Sequence, residues 1–258
     1  MRYFIELAFK GTNFNGWQIQ PNAITVQEVL DDRLSKLLRH TISTIGCGRT
    51  DTGVHATQFF AHFDLPVPIN DISNTIYKLN RMLPTDIRIL NLFAVDDSAH
   101  ARFDAINRTY RYFIDLDKNP FSQEFSTYIH FTPNLEIMNE AARMLLTNYD
   151  FASFCKTGGN QKTTICKVTV AEWTQLSSTQ IMFEITSDRF LRNMVRAIVG
   201  TLLDVGRKKL TLDQFYTIIK ASNRCVAGQS VPPNGLYLYS VQYPFYQKNR
   251  TFYPATFC

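Results

Sequence analysis

The sequence predicts an α+β protein made of two ferredoxin-like half-domains whose antiparallel sheets meet around a central active-site cleft. Three observations lead there. Between Tyr3 and Val95 the apolar periodicities change in the order βαββαβ, the arrangement in which two helices cover one face of an antiparallel sheet. Between Thr109 and Gln242 the theme returns with one helix added, βαββααβ. The chain has 258 residues, 45 % hydrophobic and 13 % aromatic, enough to pack a core without staples. Two copies of one supersecondary unit favour a pseudo-pair with a ligand cleft between the copies.

Each element has its own signal. Tyr3, Ile5, Leu7 and Phe9 alternate with Phe4, Glu6 and Ala8, as in a strand with a buried face. After a loop over 11–22, Thr25 is an N-cap with Glu28 three residues on, and Val26, Val29, Leu30, Leu34, Leu37 and Leu38 form one apolar stripe, so a helix runs to about His40. Strands are expected over 43–46 and 57–65, a helix over 71–82 stopped by Pro84, and a strand over 86–95. The second half reads as a strand over 109–116, a helix over 135–147, strands over 163–175 and 180–186, helices over 190–205 and 212–221, and a strand over 236–242. The expected division is 1–105, 106–245 and an aromatic, basic tail over 246–258.

Composition narrows the function classes. No apolar run approaches the ~18 to 20 residues of a membrane span, and the amino terminus enters a strand pattern without the charged and apolar regions of a signal peptide. A cytoplasmic location with no membrane association is the expectation. Cys47, Cys155, Cys166, Cys225 and Cys258 are odd in number, with no spacing of a zinc knuckle or redox pair, and the five histidines are scattered, so reduced thiols and no metal are expected. A net charge of +5 is compatible with a nucleic-acid partner and common without one.

The densest chemistry lies in Gly48-Arg49-Thr50-Asp51-Thr52-Gly53-Val54-His55-Ala56. Asp in such a loop is often turn chemistry, capping a nearby amide. Against that, Arg49, Asp51 and His55 bring three ionisable groups together within seven residues, and Gly46, Gly48 and Gly53 allow close backbone approach. A dinucleotide fingerprint would need Gly where Asp51 stands, and a phosphate loop would need Lys where Val54 stands.

Two other stretches carry charge or aromatic rings. The helix after Ser187 carries Arg189, Arg192 and Arg196, spaced three and four apart, so a basic stripe runs along nearly one face; the plain alternative is a solvated helix face. Apolar residues fill most of the remaining circumference, and an arginine buried there needs an acidic partner. In Arg108-Thr109-Tyr110-Arg111-Tyr112, Tyr110 and Tyr112 share one strand face and Arg111 the other. Tyr112 fits a core contact; for Tyr110 a core contact and a base-stacking platform both remain open.

With these motifs in hand the chain resembles the bacterial tRNA pseudouridine synthase A family, nearly end to end. The resemblance rests on the Gly48 to Ala56 run, on Ala101-Arg102-Phe103-Asp104-Ala105 with Arg108 to Tyr112, on Phe190-Leu191-Arg192-Asn193-Met194-Val195-Arg196, and on Pro232-Pro233-Asn234-Gly235-Leu236-Tyr237-Leu238. It departs in Thr52, where Ala or Ser is usual, and in Val231, where Ala is common. The resemblance implies isomerisation of uridine to pseudouridine at positions 38, 39 and 40 of the tRNA anticodon stem-loop, with no cofactor and by a homodimer. It implies Asp51 as the essential aspartate, Arg196 as its paired arginine, and Tyr110 as the ring that stacks on the target base and removes its carbon-bound proton. Leu236 becomes the aliphatic wall opposite, and Arg49 the residue that assists base flipping. Arg102, Arg108, Lys156, Arg189 and Arg192 become phosphate contacts. Three competing readings are a noncatalytic RNA-binding module, a paralogue acting at another tRNA position, and an enzyme for a small phosphorylated ligand.

Overall fold

A computed structural model describes residues 1–156, 158 and 162–246 of the chain. The elements run β1 (Arg2–Phe9), α1 (Val26–Leu38), β2 (Ile45–Gly46), β3 (His55–Asp64), α2 (Ile72–Met82), β4 (Ile87–Val95), β5 (Asn107–Asp115), β6 (Thr127–Tyr128), α3 (Leu135–Met144), β7 (Val168–Ser177), β8 (Gln180–Ser187), α4 (Met194–Gly206), α5 (Leu212–Lys220) and β9 (Leu236–Gln242), with short 3₁₀ turns between some of them. The fold is α+β, and its sheets are mostly antiparallel. Backbone contacts divide the chain into two compact units, one of Met1–Ile106 with the described residues from Tyr237 onward, the other Asn107–Leu236.

In the first unit β1 is central, antiparallel to β3 on one side and β4 on the other. Phe4, Ile5, Leu7, Phe59 and Phe60 are fully buried, consistent with the apolar run of β1. Helix α1 starts where the Thr25 hydroxyl accepts from the Glu28 amide, and α2 starts where Asp71 accepts from the Asn74 amide. Helix α1 ends at Leu38, with Arg39 in the left-handed region at φ 55°. The free edge of β3 is shared: Ala61 and His62 pair with β2, while His55 and Ala56 pair in parallel with Tyr237 and Leu238 of β9. Glu6, fully buried, is held by the Gln58 amide at 2.9 Å and the Tyr246 hydroxyl at 2.6 Å.

In the second unit β8 lies between β5 and β7, antiparallel to both. Helix α3 packs on β7, α4 and α5, and α4 is buried on nearly every side, as its high apolar content requires. Strand β6, two residues long and parallel to β5, had no signal in the sequence. It is fixed beside Asp115, whose carboxylate accepts from the Ser122 and Ser126 hydroxyls.

Four expectations need correction. The helix expected over 190–205 begins only at Met194, because Asn193 is left-handed at φ 65° and interrupts the turn before it. Arg189 and Arg192 therefore precede the helix, and the basic stripe is not a helix face. The strand expected from 163 begins at Val168, because the chain around Ile165 instead bonds back to 149–151 through Phe151 N–H to Thr164 O and Cys166 N–H to Tyr149 O. The strand expected over 43–46 contracts to two residues because Thr44 is committed to Asp31. The tail from 247 on, and with it Cys258, lies outside the described residues.

That Asp31 contact has a pH signature. Its Oδ1 accepts from the Thr44 amide at 3.1 Å and the Thr44 hydroxyl at 2.7 Å. Burial nevertheless pushes the carboxyl up to about 6, the two hydrogen bonds pulling the other way. Between the ordinary value of 3.8 and about 6 the folded chain keeps a proton that the unfolded chain releases, so stability from this group is present at low pH and lost as pH rises through about 6. Asp31→Asn keeps an oxygen acceptor for both bonds and never ionises. Thermal denaturation is expected to show it more stable than the wild type at pH 8, by on the order of 2 kcal/mol, and nearly equal at pH 4.

Candidate active site

The loop from Cys47 to Val54 connects β2 to β3, and main-chain bonds pin it at several points. The Cys47 amide donates to Phe60 O at 2.7 Å, and the Val54 amide to Asp51 O at 3.2 Å. A second segment, 11–17, grips the loop from outside. Trp17 N–H donates to Thr50 O, Gly53 N–H to Phe14 O, and Gly11 N–H to His55 Nδ1 at 3.1 Å. Gly11 and Gly16 are glycines for a reason: a Cβ on the first would collide with Val54 O, and on the second with Thr50 O. Trp17 stacks on Phe59 at 4.2 Å, which anchors this segment to the core.

Asp51 is half-buried and Arg49 exposed, on adjacent sides of Thr50. Thr50 Oγ1 is buried and has no hydrogen-bond partner among the described residues. His55, 2 % exposed, stacks on Tyr237 at 4.7 Å and uses its Nδ1 as an acceptor, so it orders the loop from below. The sequence pointed to His55 as part of the chemistry; the geometry makes it a support. Residues 11–17 carried no functional signal beyond two glycines and a tryptophan in a polar stretch.

The second unit gathers the remaining motifs. On β5, Tyr110 is half-buried, pairs with Ile185, and meets Phe190 edge-on at 4.9 Å. Tyr112, fully buried, donates to Pro232 O at 2.8 Å and lies 2.6 Å from the Thr127 hydroxyl; burial pushes its phenol up from the ordinary value. Arg196 on α4 is half-buried, and its Nε donates to Val231 O at 2.7 Å while Val231 N–H donates back to Arg196 O at 3.2 Å. Gly200, one turn on, faces the Gln229 carbonyl so closely that no Cβ fits. Asn234 donates to Gln123 O at 2.7 Å and Ser126 O at 2.6 Å, and Leu236, 6 % exposed, follows Gly235. Three sequence motifs, the Tyr110 strand, the Arg196 helix and the Pro-Pro-Asn-Gly-Leu segment, are thus bonded into one piece of structure.

The outlying cations divide into committed and exposed. Arg108 donates to Asp188 O at 2.7 Å, and Arg111 pairs with Glu184 at 2.6 Å. The Lys156 amide donates to Arg192 O, so these two exposed residues are neighbours. The Arg189 amide is held by Asp188 Oδ1. Arg49, Asp51 and Arg102 belong to the first unit; Arg108, Tyr110, Lys156, Arg189, Arg192, Arg196 and Leu236 belong to the second. Among the described residues no group of His, Cys, Asp or Glu is arranged to hold a metal ion, and no helix is long and apolar enough to cross a membrane.

The chain is 51 % identical to a tRNA pseudouridine synthase A of Bacteroides fragilis over 243 residues, 94 % of this chain and 96 % of that protein. It belongs to the tRNA pseudouridine synthase A family. A second family member, from Bacteroides thetaiotaomicron, is 50 % identical over 94 % of this chain and 91 % of its own length, and one from Bacillus subtilis is 37 % identical over 94 % and 99 %. A family model described as tRNA pseudouridine synthase matches residues 141–244. For this family member the matched stretch contains Arg196 and Leu236 with the bonds that hold them, while Asp51 and Tyr110 lie before it.

Proposed function

We propose that this protein converts uridine to pseudouridine in the anticodon stem-loop of tRNA, without a cofactor and as a homodimer in the cytoplasm. The observation that carries the reading is identity of about half the residues, over nearly the full length, with a protein named tRNA pseudouridine synthase A. The reaction breaks the bond between uracil N1 and the ribose, turns the base, and joins its carbon 5 to the same sugar carbon; the proton on carbon 5 leaves and N1 gains one. No electrons are exchanged with a second reagent.

Asp51 is the essential carboxylate. Ionised, it has the chemistry to attack the base or the sugar carbon, or to stabilise a developing cation. Its support is the loop itself, held by Trp17, Phe14 and Gly11 so that a half-buried acid has a fixed backbone. Arg196 is the cation paired with this acid, and its planar guanidinium fixes the orientation of the carboxylate. Tyr110 stacks on the target base and takes the proton from carbon 5, and Leu236 is the opposing wall.

A paired uridine must leave its stack first, at a cost of about a few kcal/mol. Arg49, exposed beside Asp51, assists that step. Arg102, Arg108, Lys156, Arg189 and Arg192 bind phosphates. The test is release of tritium to water from unmodified tRNA labelled at uracil carbon 5. Release by the wild type is expected; tRNA binding without release would make the protein a noncatalytic RNA-binding module, and failure to bind at moderate salt would remove RNA from the account.

Arg196→Ala is expected to lower kcat about a hundredfold or more while the tRNA Kd changes by less than about threefold, because its role is toward the carboxylate. Filter binding beside single-turnover kinetics checks this. Equal losses in both would make Arg196 a phosphate contact.

A further inference from the structure

Single exposed apolar side chains are ordinary on protein surfaces. Phe103 is different in what stands behind it. The residue is 73 % exposed, at the tip of the turn formed by residues 100–104. His100 packs against it with centroids 4.2 Å apart, His62 meets His100 edge-on at 4.7 Å, and Phe4 in the core stacks on His62 at 5.9 Å. A column of four rings thus runs from the fully buried Phe4 to a ring face in solvent.

The backbone of the turn is fixed with equal care. Nδ1 of His100 accepts from the amides of Arg102 and Phe103 at 3.1 and 3.3 Å, and Asp104 accepts from the His100 amide at 2.7 Å. Buried His62 accepts from the Ala101 amide at 3.1 Å, and the Tyr243 hydroxyl donates to Ala101 O. Burial holds the His62 imidazole down at about 4, so at neutral pH it stays an acceptor. The Arg102 guanidinium carbon lies 5.8 Å from the Phe103 centroid. A rigid aromatic face with a guanidinium at its side suits a nucleobase and the phosphate next to it.

We propose that Phe103 is a stacking platform for an unpaired nucleotide of the tRNA substrate, with Arg102 on the adjoining phosphate. The inference rests on the tRNA reading above and adds a binding residue to it. A second copy of this chain is the less suitable occupant, because charged Arg102 and Asp104 flank the ring in the sequence.

The experiment measures the Kd of unmodified tRNA at several salt concentrations, and KM and kcat by tritium release, for wild type, Phe103→Ala, Phe103→Trp and Arg102→Ala, with sedimentation of each. Phe103→Ala is expected to weaken tRNA binding about 5- to 100-fold with an unchanged salt slope, and Phe103→Trp to restore it to within about twofold. Arg102→Ala is expected to reduce the salt slope by about one. Unchanged Kd and KM in Phe103→Ala, with tritium still released by the wild type, would overturn the platform and leave the enzyme reading intact. A shift in sedimentation with tRNA affinity kept would assign the ring to contact between copies and likewise overturn it. No tRNA binding by the wild type would end both readings.

Discussion

Asp51→Asn is expected to abolish tritium release, by at least about a thousandfold in kcat, while tRNA binding stays within a few-fold of the wild type. The substitution separates charge from shape. Asn has nearly the same volume, and the bond that closes the turn, Val54 N–H to Asp51 O, uses the main chain and survives the exchange. The grips of Trp17 on Thr50, Phe14 on Gly53 and Gly11 on His55 also involve no atom of the Asp51 side chain. What the variant loses is the anion, and with it any nucleophile or counter-charge for the sugar. A variant that still turned over at a tenth of the wild-type rate would move the essential carboxylate elsewhere in the chain.

Sequence patterns disclosed the elements whose period is dictated by one buried face. Strand β1, helix α1 with its Thr25 cap, and helix α5 all follow from local rules. What stayed hidden depends on contacts remote in sequence. Nothing local in Phe190-Leu191-Arg192-Asn193 forbids a helix; the interruption comes from Asn193 turning left-handed, its side chain bonded to Ser230 and the preceding carbonyl of Arg192 engaged by the Lys156 amide. Strand β9 has the alternation of any strand, and its partner, the first two residues of β3, lies some 180 positions earlier, as the Thr57 hydroxyl to Tyr239 carbonyl bond shows. The candidate residues Asp51, Tyr110 and Arg196 stood out by type because ionisable and aromatic groups are conspicuous in glycine-rich or alternating stretches. Their scaffolding did not. Gly11, Gly16 and the Val231 carbonyl act through the backbone, where side-chain identity leaves little trace.

The backbone scaffold can be tested at Gly200, where the largest loss of stability is expected. This residue sits on α4 one turn after Arg196, and a Cβ there would run into the Gln229 carbonyl oxygen and crowd the Gln229 carbonyl carbon at 3.0 Å. Both are backbone atoms, which cannot swing aside as a side-chain tip does. In an ordinary helix Gly→Ala stabilises by roughly 1 kcal/mol. Here the sign reverses, and Gly200→Ala is expected to cost about 2 to 4 kcal/mol in urea denaturation, in the range of overpacked cores. The strain has a direction. Pushing residue 229 away from α4 draws Val231 with it, and Val231 carries both halves of the reciprocal bond to Arg196. Loss of kcat should therefore accompany loss of stability, and residual activity measured well below the melting temperature should fall further than the folded fraction does. If activity simply tracks the amount of folded protein, the Gln229 to Val231 segment supports the fold and leaves Arg196 unaffected.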